Sequence, residues 1–231
     1  MNKQLDPTIA RAINPPKEPP RPEPVHVENE PTVKVLLWVI VVLGVLFMAI
    51  LMIRSVYNPA PPVNKVNYNE WEFIQLPDRF WEFQWQKGTA VYNIPLRYNP
   101  TELGNVSITG ALDPRFGARK DVYIAVDPSN QTNQQYVALG VGELSLNLMK
   151  VFGVDLIAAC TRNETASCAD RAVVSCERDT NKSIIIIREG KGPSVTQAGN
   201  CITVQGEKLD LLQAVDRLLY KFYNVMPDAR V

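Results

Sequence analysis

The sequence predicts an α/β protein, with one N-terminal transmembrane helix followed by an extracytoplasmic domain that has a mixed β-sheet, flanking helices and an aromatic hairpin. Three observations support this prediction. A run of 19 residues without charge lies near the N-terminus, aromatic and polar residues alternate after residue 80, and strand-like and helix-like patterns alternate over the second half of the 231-residue chain. Such alternation is typical of α/β domains.

The uncharged run Val35–Ile53 is bracketed by Lys34 and Arg54. As a helix it is ~28 Å long, which matches the hydrocarbon core of a bilayer. It lacks the polar stripe of a buried core helix, and the long proline-rich leader does not fit a cleaved signal peptide. The chain therefore divides into a disordered tail at 1–34, a transmembrane helix at 35–54, a linker at 55–66 and a folded domain at 67–231.

Charge near the helix favours a cytoplasmic N-terminus and a domain outside the cell membrane. Within about 20 residues of the run, three basic residues lie on its N-terminal side and two on its C-terminal side. All four cysteines lie downstream, and an even count suits an oxidising compartment.

The tail holds eight of the 18 prolines and is predicted to be disordered. Pro16–Pro19 and Pro19–Pro22 have the PxxP spacing that some binding domains recognise in polyproline II segments. A PxxP-binding protein is thus one alternative partner. A plain spacer is the preferred interpretation, because this spacing arises easily in any proline-rich segment.

Composition excludes several classes of function. The 24 basic and 24 acidic residues balance, so there is no electrostatic case for a nucleic-acid partner. The single histidine, His26, lies in the tail, so the predicted domain has no Ser-His-Asp or Cys-His catalytic group and no His-ligated metal. We expect no catalytic residues, metal or cofactor. Whether the protein is an enzyme stays open, with a preference for a non-enzyme.

Aromatic residues predict a β-hairpin at the start of the domain. Trp81, Phe83 and Trp85 alternate with polar residues, which is the pattern of a half-buried strand. The returning strand contains Pro95, which places it at a sheet edge. A platform for sugars and a belt near lipid headgroups are the functional alternatives, but packing of the hairpin against helices is preferred.

The middle of the domain predicts a strand, a helix and a second parallel strand. Val122–Val126 and Val154–Ala159 are short apolar runs. Between them, apolar residues recur every three or four positions over Gln134–Phe152, as in an amphipathic helix, and Gly153 ends it. Units of this length form right-handed crossovers.

The C-terminal part predicts a central strand and a closing helix. Ser183–Arg188 contains four consecutive isoleucines, as expected of a strand buried on both faces. Gly199-Asn200 predicts the turn before a partner strand at Cys201–Gln205. A helix follows from about Glu207, with an apolar stripe toward the core. Its polar residues Asp210, Asp216, Arg217 and Lys221 are predicted to face water.

Three motifs stand out in this part: Cys168-x7-Cys176, Gly199-Asn-Cys-Ile and Ala214-Val-Asp-Arg-Leu-Leu-Tyr220. With them, Val122–Met226 resembles uncharacterised single-span archaeal membrane proteins. The resemblance covers under half of the chain. It implies an envelope location and no particular activity.

The four cysteines allow three disulfide pairings. Cys168–Cys176 with Cys160–Cys201 is the predicted one, because the first two bracket a polar loop and the other two end and begin predicted strands. A thiol oxidoreductase and a four-cysteine zinc site are the alternatives. The chain has no Cys-x-x-Cys motif, and spacings of 8, 8 and 25 residues suit zinc poorly.

Polar residues follow the predicted parallel strands, at the sheet edge where open α/β sheets bind ligands. They are Asp127, Ser129, Asn130, Thr161 and Arg162. Glu143 lies in the middle of the predicted helix and needs a partner if it is buried, for which Arg162 is the candidate.

Two functions follow from these patterns. The preferred one is a membrane-anchored envelope protein whose disulfide-stapled domain binds other membrane or envelope proteins, as a subunit of a surface or secretion assembly. In this hypothesis Val35–Ile53 anchors the protein in the lipid bilayer, and the folded domain has an exposed apolar patch. The alternative is an extracytoplasmic small-ligand receptor or enzyme, which predicts a pocket where Asp127 and Arg162 converge.

Overall fold

The computed structural model describes residues 31–57, 63–128 and 132–227, which belong to two compact units divided after residue 61. The first unit contains helix α1, Pro31–Tyr57. Its segment Val33–Ser55 has 23 residues and a mean hydropathy of 3.1, so it is long and apolar enough to cross a membrane. The predicted PxxP segments lie outside the described residues.

The second unit begins with a small antiparallel sheet in the order β1-β2-β3-β4. The predicted hairpin is β3–β4, and Pro95 lies on the edge strand β4 as expected. Trp81 and Phe83 are buried, so the hairpin packs on the core. The strands are β1 Lys65–Tyr68, β2 Trp71–Gln75, β3 Trp81–Lys87 and β4 Ala90–Leu96.

A second, seven-stranded sheet has the order β5-β10-β11-β9-β6-β7-β8. It is mixed, because β10 runs antiparallel to β11 and parallel to β5 while the neighbours from β11 to β8 are parallel. The isoleucine strand β9 is central, as predicted. The strands are β5 Ser107–Leu112, β6 Asp121–Val126, β7 Asp155–Cys160, β8 Ala172–Val173, β9 Ser183–Glu189, β10 Ser194–Gly199 and β11 Cys201–Gly206.

Two helices complete this unit. Helix α2 spans Gln134–Asn147 and continues as a π-helical turn, Leu148–Phe152, before Gly153 ends it with a φ of 70°. Helix α3 spans Leu209–Phe222. On one side α3 packs on β11, and on the other the ring of Tyr220 contacts Phe73 and Phe83 of the small sheet. Helix α3 therefore lies between the two sheets.

This position overturns the prediction that Asp216 and Arg217 face water. Asp216 has no exposed surface, and Arg217 is 8% exposed. The Arg217 guanidinium donates a hydrogen bond to the backbone oxygen of Met226 at 2.8 Å. The apolar periodicity of α3 shows one buried stripe, but the small sheet covers a second face of the helix, so polar residues there are also enclosed.

The predicted disulfide pairing is wrong. The bonds are Cys160–Cys168 and Cys176–Cys201, with Cα–Cα distances of 5.9 and 5.7 Å. A 3₁₀ turn, Ala166–Cys168, returns the chain to the end of β7, so Cys168 lies beside Cys160 and not beside Cys176. Two disulfides are typical of extracellular or secreted domains.

Candidate functional site

A groove of about 760 Å³ lies between the edge strand β4 and helix α2. This volume falls within the range of ligand-binding clefts, ~300–1,000 Å³. Its lining consists of Phe80, Val91, Tyr92, Asn93, Ile94, Pro95, Arg97, Ala138, Leu139, Gly142, Glu143, Leu146, Asn147, Lys150 and Val151. We refer to these residues as the β4–α2 groove.

The strand and the helix run in opposite directions along the groove. Arg97, just after β4, bonds Glu143, whereas Lys87 before β4 donates to the backbone oxygens of Val151 and Phe152, both at 3.2 Å. Residues 91–97 as a strand and 138–151 as a helix both extend ~20 Å. The two walls therefore match in length.

Large apolar side chains on the rim of the groove are exposed to solvent. Val91 is 59% exposed, Leu139 45% and Leu146 67%. Ala138 and Gly142 also line the groove from α2 and are small, which leaves the groove open. This is an exposed apolar surface of the kind that binding sites for proteins contain.

The floor of the groove holds an ion pair. Glu143 is 9% exposed, and its Oε2 accepts a hydrogen bond from Arg97 Nε at 2.9 Å. The Arg97 guanidinium also lies over the ring of Phe80, 5.0 Å from its centre. The predicted partner of Glu143 was Arg162, which is wrong: Arg162 instead lies 3.6 Å from Glu164 at the surface.

Asp216 lies behind this pair and accepts hydrogen bonds from the backbone N–H groups of Arg97 and Tyr98, both at 2.9 Å. Burial raises the pKa of Asp216 well above its ordinary value, and the charge of Glu143 raises it further. Burial likewise raises the pKa of Glu143, although Arg97 opposes the shift.

Each of these carboxyl groups has one buried oxygen, Glu143 Oε1 and Asp216 Oδ1, for which the described residues supply no N–H donor. Two negative charges are unfavourable in this buried position, so the raised pKa of Asp216 favours a proton on its carboxyl group. The pair then carries one negative charge, on Glu143, which Arg97 balances.

Two tyrosines, Tyr220 on α3 and Tyr223 directly after it, form hydrogen bonds with residues at the floor of the groove. The Tyr223 hydroxyl donates to Asn147 Oδ1 at 2.6 Å, and Asn147 Nδ2 donates to the backbone oxygen of Glu143 at 2.8 Å. The Tyr220 hydroxyl donates to the backbone oxygen of Tyr98 at 2.7 Å. These bonds tie α2 and the end of β4 to α3, so the floor is held rigidly.

The predicted strand-end site lies elsewhere. Asp127 and Thr161 follow the neighbouring strands β6 and β7, as expected, and Thr161 N donates to the backbone oxygen of Val126 at 3.1 Å. Ser129 and Asn130 lie outside the described residues. Of the predicted residues that the structure describes, Asp127, Thr161 and Arg162, none lines the β4–α2 groove.

Sequence reasoning missed the groove because its walls come from segments about 50 residues apart. Two signals pointed to parts of it: Pro95 marked β4 as an edge strand, and Glu143 was a charged residue among apolar and small neighbours. Neither signal shows that the edge strand and the helix lie side by side.

Comparison of the chain with models of protein families, with curated proteins and with solved structures finds no match. Among residues 31–57, 63–128 and 132–227, no group of three or more His, Cys, Asp or Glu residues could hold a metal ion.

Proposed function

We propose that this chain is a membrane-anchored envelope protein that binds a partner protein in the β4–α2 groove, as a subunit of a surface or secretion assembly. The observation that carries the proposal is the exposed apolar rim, Val91, Leu139 and Leu146, along an unpaired strand edge. Apolar surface beside a free edge is costly to keep in water unless a partner covers it.

The location rests on α1 and the disulfides. Helix α1 supplies the anchor, and Cys160–Cys168 and Cys176–Cys201 suit the oxidising side of the membrane. The positive-inside rule then puts the N-terminus in the cytoplasm.

Protease protection tests the location. In intact cells that express the full-length chain with a C-terminal tag, external protease should remove the tag while a cytoplasmic control protein stays whole. A tag that survives until the membrane is permeabilised would contradict the proposed topology.

A protein partner fits the groove better than a reaction does. The 15 lining residues include no Ser, Thr, Cys or His, and their one hydroxyl is the phenol of Tyr92, so the groove offers no aliphatic hydroxyl, thiol or histidine base. The ionised groups on its floor, Arg97 and Glu143, already form an ion pair with each other. The groove is long and apolar at its rim, as protein-binding grooves are.

Matched charge substitutions test the groove. Leu146→Glu puts a charge on the rim, and Leu209→Glu puts the same charge on an apolar residue that is 55% exposed and lies outside the groove. After gentle detergent extraction of the full-length protein, a stoichiometric partner should be lost with Leu146→Glu and kept with Leu209→Glu. Equal retention in both variants, or a chain that extracts without any partner, would count against the proposal.

A further inference from the structure

We infer that the β4–α2 groove takes an extended segment of the partner, which adds to β4 as a fifth strand of the small sheet. This inference rests on the proposed function and specifies which chemistry the groove recognises.

The register of the hairpin determines which backbone groups of β4 are free. Lys87 pairs with Ala90 across a two-residue loop, and residues of an antiparallel pair alternate between bonded and unbonded positions. Pro95 has no N–H, so it must occupy an unbonded position with respect to β3. The residues in the same phase, whose backbone groups point away from β3, are Val91, Asn93 and Pro95.

The outer edge of β4 therefore offers a short ladder for another strand. Val91 and Asn93 each present one N–H and one C=O, and Pro95 presents a C=O. Packed strands occupy roughly 160 Å³ per residue, given ~3.3 Å of rise, ~4.8 Å between strands and ~10 Å between layers. The 760 Å³ of the groove thus holds about five residues, the same length as Val91–Pro95.

The other sheet edges differ from β4. Edge β1 has four residues and an ion pair between Lys65 and Glu72, and edge β8 has two residues. Edge β5 contains Gly110 at a φ of 80°, which interrupts its extended backbone. Short, charged or interrupted edges resist further pairing. Strand β4 has seven residues and no charge, so it lacks these protections apart from Pro95.

Side chains of the added segment would alternate between the groove and solvent. Those in the groove would lie beside Ala138, Gly142 and Leu146, so apolar residues fit there. Because Glu143 balances Arg97, the lining has one further cation, Lys150, toward the Val91 end. The structure thus favours a segment of about five residues, apolar at alternate positions, with a carboxylate at the end near Lys150.

The test uses the full-length protein in nanodiscs and an octapeptide selected on it from a random phage-displayed library. Asn93→Pro removes an outward N–H, whereas Asn93→Ala keeps the N–H and removes the side chain. We expect about tenfold weaker peptide binding with Asn93→Pro and less than about twofold change with Asn93→Ala. Residue 93, like Pro95, has its backbone groups pointing away from β3, so a proline there leaves the β3–β4 hydrogen bonds intact. An unchanged unfolding temperature of Asn93→Pro would confirm this.

Two further readouts separate the inference from the proposed function. N-methylation of the peptide at alternate residues should weaken binding in one phase only, and Leu146→Glu should abolish it. If Leu146→Glu abolishes binding while Asn93→Pro and Asn93→Ala bind alike, the groove binds its partner without strand addition, and only the inference fails. If no selected peptide depends on Leu146, both fail.

Discussion

The carboxylate of Asp216 on α3 accepts a hydrogen bond from the backbone N–H of Arg97, a residue 119 positions earlier in the chain. This bond joins the helix between the two sheets to the end of the edge strand. The Arg97 side chain in turn holds Glu143 on α2. Asp216 thus positions the floor of the β4–α2 groove without facing solvent.

We predict that Asp216→Ala destabilises the domain by about 3 kcal/mol. It would leave the N–H groups of Arg97 and Tyr98 buried and unpaired, and each such group costs ~1–3 kcal/mol. Asp216→Asn keeps an acceptor oxygen and gains a donor toward Glu143, so its cost should stay under about 1 kcal/mol. Urea unfolding followed by tryptophan fluorescence measures both. An equal decrease in the free energy of unfolding in both variants would show that the hydrogen bonds from the N–H groups of Arg97 and Tyr98 do not account for the effect.

The same carboxyl pair predicts a pH dependence. Burial raises the pKa values of Asp216 and Glu143 above their ordinary 3.8 and 4.5, so the folded state binds a proton that the unfolded chain releases. This contribution to stability is complete below about pH 4 and falls as the pH rises, by up to ~1.4 kcal/mol per pH unit for one proton.

Asp216→Asn removes that titration and serves as the reference. Between pH 4 and 8, the free energy of unfolding of the unsubstituted protein should fall relative to that of the variant. The variant is needed as a reference because exposed carboxyl groups with lowered pKa values make the free energy of unfolding rise with pH. Asp113 is one example, since the hydrogen bond from Arg115 lowers its pKa to about 2. Parallel pH curves for the two proteins would refute the raised pKa of Asp216.

We predict unequal contributions from the two disulfides. In the chain-entropy model, the 25-residue separation of Cys176–Cys201 is worth ~3.5 kcal/mol and the eight-residue separation of Cys160–Cys168 is worth ~2.5 kcal/mol. Replacing each pair by two alanines and measuring urea unfolding gives the comparison. A larger loss from the Cys160–Cys168 pair would contradict the entropic explanation.

Alanine substitutions at two glycines, Gly110 and Gly88, test how closely β5 approaches β10. Gly110 and Gly88 both have positive φ, 80° and 61°, but a Cβ on Gly110 would collide with the backbone oxygen of Gln197, whereas a Cβ on Gly88 meets nothing within 4 Å. Gly88→Ala should cost only the conformational term, ~1–2 kcal/mol. Gly110→Ala should cost clearly more, because β5 must move away from β10. Thermal unfolding of both variants measures the difference, and equal costs would mean that β5 can shift freely.

Local patterns predicted most of the individual elements. The apolar spacing over Gln134–Phe152 corresponds to α2 with its π-helical extension, and Gly153 ends it as expected. The four isoleucines form the central strand β9, and the alternating aromatics form the hairpin β3–β4. These predictions succeed because each depends on the burial of one face of one short segment.

Charged residues on helices were harder to interpret. The apolar stripe that predicts α3 does not show that the small sheet covers a second face of this helix. The sequence therefore predicts an exposed Asp216, whereas this residue is buried. The sequence indicates that Glu143 needs a partner, but Arg97 lies 46 residues earlier, just after β4, and no local spacing links the two. The cysteine pairing failed for the same reason, because the turn at Ala166–Cys168 decides which sulfur atoms meet.

By itself the sequence determined the apolar helix α1, most but not all of the strands and helices, and the absence of histidine from the folded part, because these follow from composition and short periodic patterns. The tertiary structure alone decided that β4 and α2 face each other across a groove, that Asp216 is buried behind Arg97, and how the cysteines pair. Those features depend on the packing of segments far apart in the chain. Packing is determined by the burial and hydrogen bonding of the whole core, which no single window of sequence contains.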